Sequence, residues 1–170
     1  MRIYLTNLGM YNEGRLHGMW LKLPITDEEL QSALTKIGIG GRYEETFITD
    51  YENDLGLKVD EYESLSVLNE VAECISCLNE HEVQVLRAVI EMHAPSVSTL
   101  VDLIGTLDNY TLHADIKTYR ELGHYLIHDV GNFNLYEVET LSNYLDYESY
   151  GYDYNCNSAG ELTSYGWLER

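Results

Sequence analysis

Between Arg120 and Arg170 the chain has no lysine or arginine, yet the stretch Tyr136–Tyr154 inside that interval (YEVETLSNYLDYESYGYDY) carries Glu137, Glu139, Asp146, Glu148 and Asp153. No base nearby in sequence neutralises these carboxylates, and a field of one sign repels itself. Such a stretch folds only if its acids are spread over a surface supported from beneath by apolar side chains. Val138, Leu141 and Leu145 recur at helical spacing, and six tyrosines supply amphipathic anchors. The pattern predicts an ordered negative surface on a packed frame rather than a disordered acidic tail.

The rest of the chain repeats that design. Its 170 residues hold 29 acids and 10 bases, a net charge of −19, divided as −10 over residues 1–85 and −9 over residues 86–170. Solubility asks for a net charge of only about 2–8 in a small domain, so the surplus points either to function or to life in salt. Nucleic-acid binding needs a basic footprint, and none is present, so no nucleic-acid partner is expected. A basic protein is the expected complement. B-DNA carries roughly one charge per 1.7 Å of axis, so 19 net charges match the phosphates of about ten base pairs. No apolar run approaches the roughly 18 residues of a membrane span. The opening MRIYLTNLGMYNEG lacks the apolar core of a signal peptide, and three cysteines do not make a disulfide framework. A soluble, reducing, cytoplasmic setting without membrane contact is expected.

Taken in order, Ile3–Leu8 reads as a strand and Arg15–Leu23 as a second one ended by Pro24. Thr26 and Glu29 form a capping box ahead of a helix with Leu30, Ala33, Leu34 and Ile37 inward. Asp27, Glu28 and Glu29 suit the positive end of its dipole. Glu44–Tyr51 alternates as a strand. The middle is helical: Leu65, Leu68, Val71, Ala72 and Ile75 mark one stripe, and Val83, Leu86 and Ile90 a second. Pro95 ends the second helix, and Ser96–Ile104 gives a third. Tyr110–His113 reads as a strand, Asp115 as the cap of a helix reaching Asp129 with Gly131 as its stop, and Glu161–Trp167 as an edge strand. The resulting class is α+β with a helical middle, divided as an α+β unit over residues 1–61, a helical unit over 62–105 and an α+β unit over 106–170.

Motifs for catalysis or metal binding are thin. Cys74-x-x-Cys77 has no second pair, and tetrahedral zinc needs about four ligands. His124 and His128 share a helix face with Glu121, but the chain reads H-Y-L-I-H where a zincin needs H-E-x-x-H. Gly38–Gly41 follows a helix and reads as a turn rather than a phosphate loop. The acid-rich run Asp50–Asp60 lacks the D-x-D-x-D-G order of a calcium loop. No cofactor, no metal and no enzymatic activity are expected. The rival readings are a metal-dependent enzyme using His124, His128 and Glu121, and a salt-adapted acidic binding module.

The segment Tyr4–Pro24 (YLTNLGMYNEGRLHGMWLKLP) resembles the start of ArdA-type antirestriction proteins, which begin with a strand, an N-L-G-x-Y-N-x-G turn and a second strand containing G-x-W. Here those positions are Asn7, Leu8, Gly9, Tyr11, Asn12, Gly14, Gly18 and Trp20. Val59–Tyr62 and Asn143–Gly151 resemble further blocks of the family, and Leu135–Asp146 lies where its antirestriction motif falls. The resemblance implies an elongated, curved homodimer of small α+β units that mimics DNA. It implies occupation of the DNA-binding groove of type I restriction-modification enzymes, with restriction inhibited and modification as well, in proteins carried by mobile genetic elements. Arg15 and Lys22 place positive charge in the first block, turning part of the first strand pair away from such a target.

On that reading the phosphates are represented by Glu44, Glu45, Asp50, Glu52, Asp54, Asp60, Glu61, Glu63, Glu70, Glu73, Glu80, Asp108, Asp115, Asp129, Glu148 and Asp153. Leu135, Val138, Leu141, Tyr144 and Leu145 are the expected contacts across a dimer two-fold.

Overall fold

A computed structural model of the chain describes residues 1–130, 133, 136 and 140–170. These residues form two units whose segments interleave in sequence: Met1–Asn79 with Pro95–Gly105, and Glu80–Ala94 with Thr106–Arg170. Each unit combines helices with one three-stranded antiparallel sheet, so the chain is α+β.

In the first unit, β1 (Arg2–Asn7) lies between β2 (Gly18–Lys22) and β3 (Thr46–Glu52). The pleat sends Ile3, Leu5 and Leu21 into the core. On the opposite face, Arg2 is flanked by Lys22 and Glu52, and Tyr4 by Trp20 and Asp50. Asn7 then stops the strand and caps a short helix, α1 (Leu8–Asn12): its Oδ1 accepts from Met10 N at 2.9 Å. Its Nδ2 donates to Ile37 O at 3.0 Å, just past helix α2 (Asp27–Lys36). Asn7 is fully buried, and the two bonds make that burial tolerable. The capping box of α2 forms as the sequence predicts, with Thr26 Oγ accepting from Glu29 N and the Glu29 carboxylate accepting from Thr26 N. Helices α3 (Leu65–Ser76) and α5 (Val97–Ile104) pack on each other, burying Leu68, Val71 and Ala72 on one and Val97 and Leu100 on the other.

In the second unit, α4 (Glu80–His93) packs on the sheet of β4 (Thr111–His113), β5 (Glu161–Thr163) and β6 (Gly166–Glu169). Pro95 disfavours the helical region for the residue before it, and Ala94 leaves α4 in the left-handed region at φ 44°. The core joins Ile116, Leu122, Leu126 and Trp167, with Tyr125, Tyr154 and Leu162 packed against it. Helices α6 (Tyr119–His128) and α7 (Tyr147–Asn157) meet backbone to backbone. A Cβ on Gly123 would overlap the Tyr147 carbonyl oxygen, and one on Gly151 the Tyr119 carbonyl oxygen. Only glycine permits this approach.

Several boundaries differ from the sequence pattern. The second strand starts at Gly18 instead of Arg15, because residues 8–14 are taken up by α1 and its turn. Thr118, not Asp115, caps α6: its hydroxyl accepts from Glu121 N at 3.1 Å. The C-terminal run is a hairpin and not one edge strand, since Thr163 Oγ accepts from Tyr165 N and donates to Gly166 O. Its second strand, β6, is the centre of the sheet. The three-part division at residues 61 and 105 cuts the chain differently: α3 and α5 belong to the first unit and α4 to the second. The expected stop at Gly131 lies outside the described residues.

Candidate functional site

The structure sorts the acids by the work they do. One group holds the fold. The Glu13 carboxylate accepts from Arg15 at 2.6 Å, Arg42 at 2.7 Å and the Tyr43 hydroxyl at 2.9 Å. The Tyr43 hydrogen bond, then that of Arg15, then the charge of Arg42 lower its pKa below the ordinary glutamate value. Glu29 is lowered by the amide and then the hydroxyl of Thr26. Glu121 is lowered by the amide of Lys117 and then the hydroxyl of Thr118. Asp146, capping α7, is lowered by the amide and then the hydroxyl of Ser149. Glu91 accepts from the amide and hydroxyl of Ser164, pinning the β5–β6 turn to α4.

The sixteen carboxylates named from sequence form the other group. Glu44 and Glu45 precede β3, Asp50 and Glu52 lie on it, and Asp54, Asp60, Glu61 and Glu63 follow in the loop to α3, which carries Glu70 and Glu73. Glu80 opens α4, Asp108 sits in a 3-10 turn, Asp115 follows β4, Asp129 ends α6, and Glu148 and Asp153 lie on α7. Fifteen are exposed and Glu63 is half-buried. Among the described residues only Glu52 has a cationic partner, Arg2 at 3.0 Å. Glu73 accepts from Asn69 Nδ2 and Asp50 from Tyr51 N, but a carboxylate that meets no base among the described residues is free to meet one from outside.

The Glu13 clamp is what sequence reasoning missed. It removes two of the ten bases, Arg15 and Arg42, from the surface field by tying them to one carboxylate. The spacing Glu13-x-Arg15 was visible, but Arg42 and Tyr43 arrive only through the fold.

Glu121, His124 and His128 do not assemble as ligands. Glu121 is engaged with Lys117 N and Thr118. The imidazoles of His124 and His128 stack with centroids 4.2 Å apart and planes at 26°. Imidazole lone pairs lie in the ring plane, so stacked rings direct them side by side instead of onto one ion. His128 Nε2 also lies 2.8 Å from the Tyr147 hydroxyl. Among the described residues no group of three or more His, Cys, Asp or Glu side chains is arranged to hold a metal. Cys74, Cys77 and Cys156 are free thiols, and no helix of the described residues is long and apolar enough to cross a membrane.

Of the expected dimer contacts, Leu135 and Val138 lie outside the described residues. Leu145 is half-buried against Ile127 and Tyr147 of its own unit. Leu141 is 52% exposed and Tyr144 86% exposed, with Tyr136, Phe133 and Val130 also exposed.

A family model described as antirestriction protein (ArdA) matches residues 3–169. Comparison with curated proteins gives no match.

Proposed function

The chain belongs to the ArdA family of antirestriction proteins, and on that premise we propose that it acts as a DNA mimic. It occupies the basic DNA-binding groove of a type I restriction-modification enzyme by competition, without chemistry of its own, and blocks modification as well as cleavage. One observation carries this reading: fifteen of the sixteen surface carboxylates lack a cationic partner among the described residues, in a chain of net charge −19. Such a surface is costly to assemble alone and gains most from lysines and arginines that normally meet phosphate.

The working form is a homodimer acting in the cytoplasm, and the gene belongs to a mobile element whose DNA the protein shields. The exposed Leu141 and Tyr144 support a two-fold contact within the acidic stretch. Leu141→Glu converts the dimer to a monomer in sizing experiments; an unchanged dimer places the two-fold elsewhere.

The test of mimicry is displacement. The protein is titrated into a type I enzyme bound to labelled DNA at two salt concentrations. Stoichiometric release of DNA that weakens with added salt is the expected result. No release from any of several type I enzymes overturns the reading.

A further inference from the structure

A cleft of about 220 Å³ opens in the first unit between the β1–β2 edge, the start of α2 and one face of α3. Its walls include the half-buried side chains of Ile25, Leu30 and Leu65. Asp27, Glu70 and Glu73 also line it, and no lysine or arginine does. The helical stripe of α3 that lines it, Ser66, Asn69, Glu70 and Glu73, is distinct from the stripe that packs the core, Leu68, Val71 and Ala72. Asn69 ties the two walls together: its Oδ1 accepts from Ile25 N at 2.7 Å, and its Nδ2 donates to Glu73 Oε1 at 3.0 Å. The cleft is therefore held open and one of its carboxylates is oriented before anything binds.

We propose that this cleft receives an arginine side chain of the target enzyme. An arginine is amphipathic along its length: its methylenes match the walls of Ile25, Leu30 and Leu65, and its head matches the carboxylates. Guanidinium is more weakly hydrated than ammonium, so arginine gives up less than lysine on entering a recess half walled by hydrocarbon. The positive end of α2 lies at the cleft and would oppose a cation, but Asp27, Glu28 and Glu29 occupy its first turn and reverse the local sign. Glu70 and Glu73 thereby change from two members of a diffuse field to parts of a shaped site, and Asp27 joins them. This rests on the mimicry reading for the identity of the partner.

The test uses the full chain and n-butylguanidinium as the probe, followed by methyl NMR, with n-butanol as the neutral comparator. Saturable shifts centred on Ile25, Leu30 and Leu65 are expected with the cation and not with the alcohol. The combined variant Asp27→Asn, Glu70→Gln, Glu73→Gln weakens the binding about tenfold. Ser66→Phe, at an exposed position, fills the cleft with all three charges intact and abolishes the shifts. Equal shifts with butanol, or cation shifts that survive Ser66→Phe, overturn the proposal. In the DNA-displacement assay Ser66→Phe inhibits at least about fivefold less well than the parent chain. Parent-like inhibition by Ser66→Phe rejects the cleft and leaves mimicry standing. A parent chain that fails to displace DNA rejects mimicry, and the NMR titration then decides the cleft alone.

Discussion

The first unit and the second hold themselves together in opposite ways. In the first, a sheet built from β1, β2 and β3 buries Ile3, Leu5 and Leu21, and ten of the sixteen carboxylates lie just before β3, on it, on the following loop and on α3. Bracing in that unit falls to Glu13 and Glu29, which lie outside this set. In the second, α6 and α7 touch at two glycines, and a Cβ at either would overlap a carbonyl oxygen of the facing helix. Its six carboxylates of the same set are scattered, with only Glu148 and Asp153 sharing an element, α7. Charge is therefore spread and tolerant, whereas the helix contact is concentrated and intolerant.

The sharpest way to break that contrast is at the glycines. Gly123→Ala or Gly151→Ala lowers stability by about 3 kcal/mol, since neither backbone has room to yield without separating the helices. Gly105→Ala is the control: its added methyl meets nothing closer than 3.4 Å and its backbone is right-handed helical, so stability is unchanged or rises slightly. Urea midpoints measured by circular dichroism distinguish the two outcomes, and a Gly123→Ala chain as stable as the parent would show the helices to be loosely apposed.

Next in size is Asn7→Ala. It leaves Ile37 O and the first turn of α1 without their buried partner and costs about 2 kcal/mol. Inhibition per folded molecule is unchanged, because Asn7 is fully buried and touches no target. A loss of inhibition at full folding would move Asn7 from scaffold to site.

The free carboxylates then test tolerance. Replacing any one of Asp54, Asp60, Asp108 or Glu148 by its amide changes inhibition by less than about fivefold. Replacing the ten of the first unit together abolishes inhibition and raises stability at low salt, because self-repulsion falls. If one replacement abolished inhibition, a hot spot would replace the distributed surface.

The smallest effect is with acid. Glu13, Glu29, Glu121 and Asp146 have folded pKa values below their unfolded ones. Their stabilisation is complete above the unfolded values and is lost as pH falls through the folded ones, from about pH 4 downward. Melting temperatures read from pH 7 to pH 3 decline only in that lower window. Thr118→Ala and Glu29→Gln each flatten part of the decline.

Much of this was legible in the chain. The capping box of α2, the three middle helices and the three strands of the first sheet follow from periodicity and from Thr26, Glu29 and Pro95, all local signals. Two boundaries were not, one where two local caps compete and one where a distant strand decides the pairing. Thr118 outcompetes Asp115 as a cap because Glu121 also closes back onto Lys117 N. The terminal hairpin turns on bonds of Thr163 to Tyr165 and Gly166, and its strand β6 is central because β4 comes to pair with it. Asn7 and its neighbours stand out as a block in sequence, and only the fold shows Asn7 to be the joint between α1 and the end of α2.

By itself the sequence determined the sign and amount of charge, the α+β alternation and the family, because these depend on residue type and local spacing. Tertiary structure decided which carboxylates are free. Whether Glu13 or Glu91 braces the fold or faces outward depends on whether Arg42 or Ser164 arrives beside it. That meeting is set by packing between residues far apart in the chain, where local pattern has no reach.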